Sequence, residues 1–310
     1  APAEKKESAA ALPWTVGLDR IAVSNLAFGM RTSPAVSALS VRLADGSVDT
    51  CRVLLDSQQV SVKSVLLDRG AYSYLTGPAE AESGTSAGTT EASAPWTVRV
   101  GSIALNDNSL EYGTLHHRPA AGFDPAFIVL SPLDLSVDSI YNRGADIALR
   151  IRRLAFTERS GLSVRNAAGA FAMDSTGISL SGFELATPLS GVRAEAHAGA
   201  GIMRMAPDTP LTADLSASLN TEEIKLLYPQ LIPAALDDRI VRIKLSAAGT
   251  LGDIKKAGLD ISSPGHIDLA VNGTAKNLLA PERLEAAARF EGEFRDMAFL
   301  LEMLPDTALR

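Results

Sequence analysis

The stretch Leu211-Thr212-Ala213-Asp214-Leu215-Ser216-Ala217-Ser218-Leu219 decides the fold. Apolar and polar side chains alternate strictly, so Leu211, Ala213, Leu215, Ala217 and Leu219 share one face of a strand and the polar residues share the other. Val241, Ile243, Leu245 and Ala247 repeat the pattern against Arg242, Lys244 and Ser246. Trp14, Val16 and Leu18 do so against Thr15 and Gly17, and Ile147, Leu149 and Ile151 against Ala148 and Arg150. Ile267, Leu269 and Val271 do so against Asp268 and Ala270. Strands with one apolar and one wet face belong to antiparallel sheets, because parallel sheets are buried on both faces.

Turn chemistry lies between these runs at Asp45-Gly46, Asn106-Asp107, Arg143-Gly144, Ser160-Gly161, Ser175-Thr176-Gly177 and Pro264-Gly265. The spacing predicts a mainly β chain, a long antiparallel meander. An internal repeat supports it: PWTVGLDRIAV at 13–23 matches PWTVRVGSIAL at 95–105 at a constant offset of 82 residues. Phe28 and Tyr112 continue it with a two-residue slip. Repetition of one unit predicts an extended body in which each unit buries its apolar face only against neighbours.

Between the two copies, residues 78–94 contain no Leu, Ile, Val or aromatic and read as a flexible, dispensable loop. The division expected is a linker over 1–12, a first β unit over 13–77, that loop, and a continuing sheet over 95–310. Helical signal is sparse. Asn220 as N-cap, with Glu223 three residues on, starts a short helix near 221–236 that places Ile224, Leu227 and Leu231 on one side and exposes Glu222, Glu223 and Lys225. Pro229 and Pro233 interrupt it. A second candidate covers 296–304. The first should dock on the open end of the sheet, since so short a helix is marginal alone.

Composition excludes several classes. Hydrophobic residues at 46% and charged residues at 21% suffice to bury a core. A net charge of −7 and aromatics at 5% do not suit a nucleic-acid binder. Cys51 is the single cysteine, so neither an internal disulfide nor a cysteine-based zinc site is available. No run approaches the roughly 18 apolar residues of a membrane-spanning helix.

The catalytic candidates are weak. Gly84-Thr85-Ser86-Ala87-Gly88 matches a nucleophile pattern but lacks the strand before it and helix after it that the mechanism needs. His116-His117 would point to opposite faces of a strand, so the pair reads as exposed loop histidines. Glu158-Arg159 and Asp237-Asp238-Arg239 read as polar connectors, and no Walker loop, dinucleotide fingerprint or HExxH motif occurs. These readings predict no enzyme, no metal and no cofactor.

The stretch FDPAFIVLSPLDLSVDSIYNRGADIALRIRRLAFTERSGLSV at 123–164 carries a family resemblance. Asp138, Ser139, Ile140, Tyr141 and Gly144, then Leu154, Phe156, Glu158, Ser160, Gly161, Leu162 and Val164, follow one another in order, and Thr187, Pro188 and Ser190 form a later turn. In these features the chain resembles an internal segment of TamB-type translocation and assembly module proteins of the AsmA-like superfamily, in their Bacteroidota-like form. The resemblance implies a sheet curled into an elongated apolar groove that shields phospholipid acyl chains in the periplasm. It implies an inner-membrane anchor helix and an Omp85-type outer-membrane partner, both engaged through regions outside this chain, and a role in outer-membrane assembly. It brings no catalytic residues.

The alternation agrees in its own terms: a one-sided apolar meander either packs that face as a core or leaves a groove for an apolar ligand. The candidate lining is Trp14, Val16, Leu18, Trp96, Val98, Val100, Ile147, Leu149, Ile151, Val241, Ile243 and Leu245, with Ala213 excluded. The alternative for Trp14 and Trp96 is a core anchor in each repeat. The alternative function is a scaffold or chaperone that binds outer-membrane protein strands by edge pairing.

Overall fold

Alternation carries the strands further than the turn signals suggest. The computed structural model describes residues 14–33, 37–77, 95–229 and 238–295. They form β1 (Thr15–Ser33), β2 (Ser37–Leu54), β3 (Gln59–Thr76), β4 (Thr97–Thr114), β5 (Phe127–Arg143), β6 (Asp146–Glu158) and β7 (Ser163–Asp174). There follow β8 (Gly177–Ala186), β9 (Gly191–Gly199), β10 (Pro210–Asn220), helix α1 (Thr221–Leu227), β11 (Ile240–Thr250), β12 (Ile254–Ser263), β13 (Ile267–Lys276) and β14 (Glu285–Phe294). All fourteen strands belong to one sheet whose spatial order is the chain order. Every pairing is antiparallel except β3 with β4, which is parallel.

Four of the six expected turns join strands: Gly144, Gly161, Gly177 and Gly265 all hold positive φ there. The other two do not. Asp45-Gly46 lies inside β2, where a Cβ on Gly46 would fall 2.6 Å from Leu43 Cδ2; the glycine makes room for a leucine. Asn106-Asp107 lies inside β4, where Asp107 (φ 52) is a bulge, a conformation short polar side chains tolerate. Asn25 (φ 54) holds the equivalent place in β1, at the repeat offset, and Arg69 (φ 50) in β3. Thr50 and Ser139 add positive φ at a second height, and Ser139 is where β5 gains a residue against β6.

At these two heights the apolar step lengthens from two residues to three. Apolar residues therefore fall at 16, 18, 21, 23, 26, 28 and 30 in β1 and at 98, 100, 103, 105, 110 and 112 in β4, and register keeps them on one face. The repeat thus runs on without the expected slip. Met30, through Leu39 and Tyr74, shares a row with Tyr112, and Phe28 shares one with Leu110.

The sheet is open: β1 and β14 are not partners, and strands pack extensively only on their neighbours. The sheet is thus neither closed nor strongly curled, where a groove curled along its length was expected. Buried apolar side chains are few, namely Leu43, Leu133, Val137, Val164, Ala167, Ala198 and Ile254, and register places all seven on the same face.

Helix α1 starts as expected, with Asn220 Oδ1 accepting from Glu222 N at 2.8 Å, and ends at Leu227. Glu223 is buried rather than exposed, and Lys225 is half-buried. Leu231, Pro233 and the candidate helix at 296–304 lie outside the described residues, as do residues 1–12 and 78–94.

Candidate functional site

Cross-strand register builds one continuous apolar face. Val16 pairs with Val53, Val53 with Val60, and Val60 with Val98. One step along, Leu18, Cys51, Val62, Val100 and Ile140 form the next row. Ile147, Leu149 and Ile151 stand opposite Met173, Phe171 and Gly169. The face continues through Leu185, Val192, Ala217, Ile243, Ile261 and Leu269, and beside them through Ala194, Leu215, Leu245, Leu259, Val271 and Phe290. Val241 joins it opposite Leu219.

All of the candidate lining residues within strands thus share this face. Ala213, left out of the candidate lining, stands on the same face between Ala196 and Ala247. Trp14 and Trp96 precede β1 and β4 at one end of the face. They are 64% and 40% exposed, so neither is a core anchor. No described layer covers the face, and large side chains such as Leu18, Phe28, Leu245 and Phe290 remain exposed on it. A depression of about 250 Å³ lies there, floored by Ala247, Ala257 and Ala288 and walled by Leu245, Leu259 and Val271.

The opposite face is charged and internally paired. Arg193 bonds Glu184 at 3.0 Å, Arg20 lies 3.6 Å from Asp49, Arg152 bonds Asp138, and the Arg99 guanidinium sits 5.3 Å from the Tyr141 ring. A depression of about 490 Å³ on that side is lined by Arg193, Glu195, Lys244 and Asp260, charges of both signs. That face is hydrated surface; the apolar one has no such resource.

Helix α1 caps one rim. Buried Glu223 accepts from the Thr187 and Ser190 hydroxyls and, at 3.0 Å, from Leu189 N, which fastens the helix to the turn between β8 and β9. At its other end Leu227 O accepts from Phe123 N at 2.9 Å, and Phe123 meets Tyr228 edge to face. The loop that receives it is held by Asp124, which accepts from Ala120 N at 2.8 Å, from Ala126 N at 3.0 Å, and bonds His117 Nε2 at 2.7 Å. His116 and His117 are indeed exposed, but His117 has a partner that their spacing did not show.

The Ala120 N–H, then His117, hold the Asp124 carboxyl down to about 2 from its ordinary 3.8. A depressed carboxyl stabilises the fold above its unfolded value and loses that contribution as pH falls through its folded value. The loop and its contact with α1 should therefore loosen between about pH 4 and pH 2. Protection of Phe123 N, taken as its exchange rate relative to the intrinsic rate at each pH, should fall as pH drops through that window, and Asp124→Asn should remove that fall. Protection that is flat with pH in the parent protein would contradict it.

Among the described residues no cluster of His, Cys, Asp and Glu is arranged to hold a metal, and no helix is long and apolar enough to cross a membrane. The 84–88 pentad lies outside the described residues. The bulge rows, the burial of Glu223 and the part played by Asp124 escaped the sequence reading; for the bulges the hint was that apolar spacing changed from two to three at fixed heights. No protein-family model, curated protein or solved structure matches this chain.

Proposed function

We propose that the chain is a lipid-shielding sheet: its apolar face holds the acyl chains of a phospholipid or similar amphiphile while the charged face stays in water. The observation that carries this is an apolar face continuous across fourteen strands and uncovered among the described residues. A soluble sheet rarely leaves so large an apolar surface without an occupant. Burying an acyl chain is worth about 0.8 kcal/mol per methylene, so one chain of ordinary length contributes on the order of 10 kcal/mol. The face offers few hydrogen-bond partners, so no position holds the lipid more specifically than the next, and sliding along the sheet costs little.

The likeness to TamB-type proteins supports the same reading. On it, the chain works in the periplasm as part of a longer protein anchored in the inner membrane, conveys phospholipid between the two membranes and assists outer-membrane assembly with an Omp85-type partner. The groove form belongs here too: lipid laid on the face gives the two halves of the open sheet something to close on. The reading involves no catalysis and no cofactor.

The test is native mass spectrometry of protein purified from membrane-containing cells, followed by lipid extraction. Val98→Arg and Val100→Arg, on the apolar face, should lower bound lipid severalfold while leaving the sheet folded, because an arginine on an uncovered face reaches water. Ser61→Arg, on the opposite face beside Arg52 and Arg99, should leave lipid unchanged. Lipid-free parent protein would overturn the reading.

A further inference from the structure

Strand β1 pairs with β2 along one side and, among the described residues, with nothing along the other. It is 19 residues long and carries no proline, so its outer edge presents a long row of backbone donors and acceptors. What that edge accepts can be read from inside the same molecule.

Strand β4 is the second copy of β1. The two share Pro, Trp, Thr, Val, Ile and Ala at an offset of 82 residues, and they share a positive-φ residue within a three-residue apolar step, Asn25 at φ 54 and Asp107 at φ 52. Each also has an antiparallel partner that follows it on the same side, β2 for β1 and β5 for β4. The remaining edge of β4 is therefore the counterpart of the free edge of β1. In β4 that edge is filled by β3, in parallel, with Val60 beside Val98, Val62 beside Val100, Val65 beside Ile103 and Leu67 beside Leu105.

The match rests on spacing. In β3 the face residues fall at 60, 62, 65 and 67, then Gly70, then 72 and 74, which reproduces the two three-residue steps of β4. A strictly alternating strand cannot follow both steps, because after the first its apolar residues would turn to the charged face.

We propose that the free edge of β1 is a recognition edge for a parallel strand of β3's type. Its occupant is an extended segment with apolar residues at n, n+2, n+5, n+7, n+12 and n+14 and glycine at n+10, seated with residue n opposite Val16. Such a strand extends the apolar face by one more row without a break. The inference does not depend on lipid binding, since it concerns the edge and not the face.

The test uses a labelled peptide with the sequence of residues 59–76 and the full chain carrying Cys51→Ser. Binding is measured by fluorescence anisotropy against a peptide lacking Lys63 and Arg69, which removes both three-residue steps. Loss of at least about tenfold in affinity for the shortened peptide is expected, since its apolar set can no longer stay on one face. Position is read by disulfide trapping. A peptide with Val62→Cys should cross-link to Leu18→Cys in the chain, and one with Tyr72→Cys, which an antiparallel strand would bring there, should not. Equal binding of the two peptides, cross-linking from residue 72, trapping at Val100→Cys through displacement of β3, or no binding at all would each overturn the proposal.

Discussion

Replacing residues 78–94 with a six-residue Gly/Ser link should destroy the pairing of β3 with β4. The sequence suggests that this segment is dispensable, because lengthening or shortening a loop usually changes its closure by only about 0.6 kcal/mol per doubling. The parallel joint reverses that expectation. Thr97, which starts β4, lies beside Gln59, which starts β3, while the chain leaves β3 at Thr76, the far end of an 18-residue strand. At about 3.3 Å per residue the chain must return across about 56 Å. Twenty residues separate Thr76 from Thr97 and extend at most to about 70 Å, whereas the nine left after shortening reach only about 32 Å. Among the described residues the joint is the only link between β1–β3 and β4–β14, so the shortened chain should lose it and unfold in two steps. A Gly/Ser replacement of the original length should restore a single transition near the parent temperature. Far-UV circular dichroism on heating distinguishes these outcomes; a parent-like melt of the short variant would show that β3 and β4 are not parallel.

That joint also marks where the sequence ceased to be legible. Alternation in 211–219 and 241–247 fixes strand and face together, and both stand in β10 and β11 as read. The N-terminal half was harder because its strands are interrupted by bulges. Asp45-Gly46 and Asn106-Asp107 have the composition of turns, yet the first makes room for Leu43 and the second absorbs one residue within a strand. Local chemistry cannot separate a bulge from a turn; only the neighbouring strand's identical three-residue step does. Strand direction was hidden for a different reason. A strictly alternating run reads the same up or down, and the uneven steps that β3 shares with β4 fix a direction only once they are recognised as interruptions within strands rather than turns. Of the candidate site, the shared face was visible, since alternation reports it directly. Curl was not, because alternation reports which residues share a face and carries no measure of how far the sheet bends.

Asn108→Ala should be among the most destabilising single substitutions in the protein. Asn108 is 1% exposed, the only polar side chain in a row that otherwise holds Leu26, Leu43, Gly70, Leu133 and Phe156. It is there because of the bulges. Arg69 and Asp107 displace the backbone at this height, and the amide of Asn108 satisfies the groups that lose partners. Its Oδ1 accepts from Gly70 N at 2.8 Å and from the Tyr72 hydroxyl at 3.3 Å, and its Nδ2 donates to Leu67 O and to Asn106 O, each at 3.0 Å. Removing the amide leaves these buried groups unpaired, at roughly 1–3 kcal/mol each where water cannot replace it. A loss of about 3–6 kcal/mol is expected, since some water will reach part of the site. Leu43→Ala, in the same row, removes only packing and should cost about 2–4 kcal/mol. Asn108→Leu separates the two causes: it restores apolar volume and mends none of the four hydrogen bonds, so it should be nearly as damaging as the alanine. Urea unfolding measures all three. A leucine variant as stable as the parent would mean that the bulges hold themselves, and that the polar residue in the apolar row is incidental.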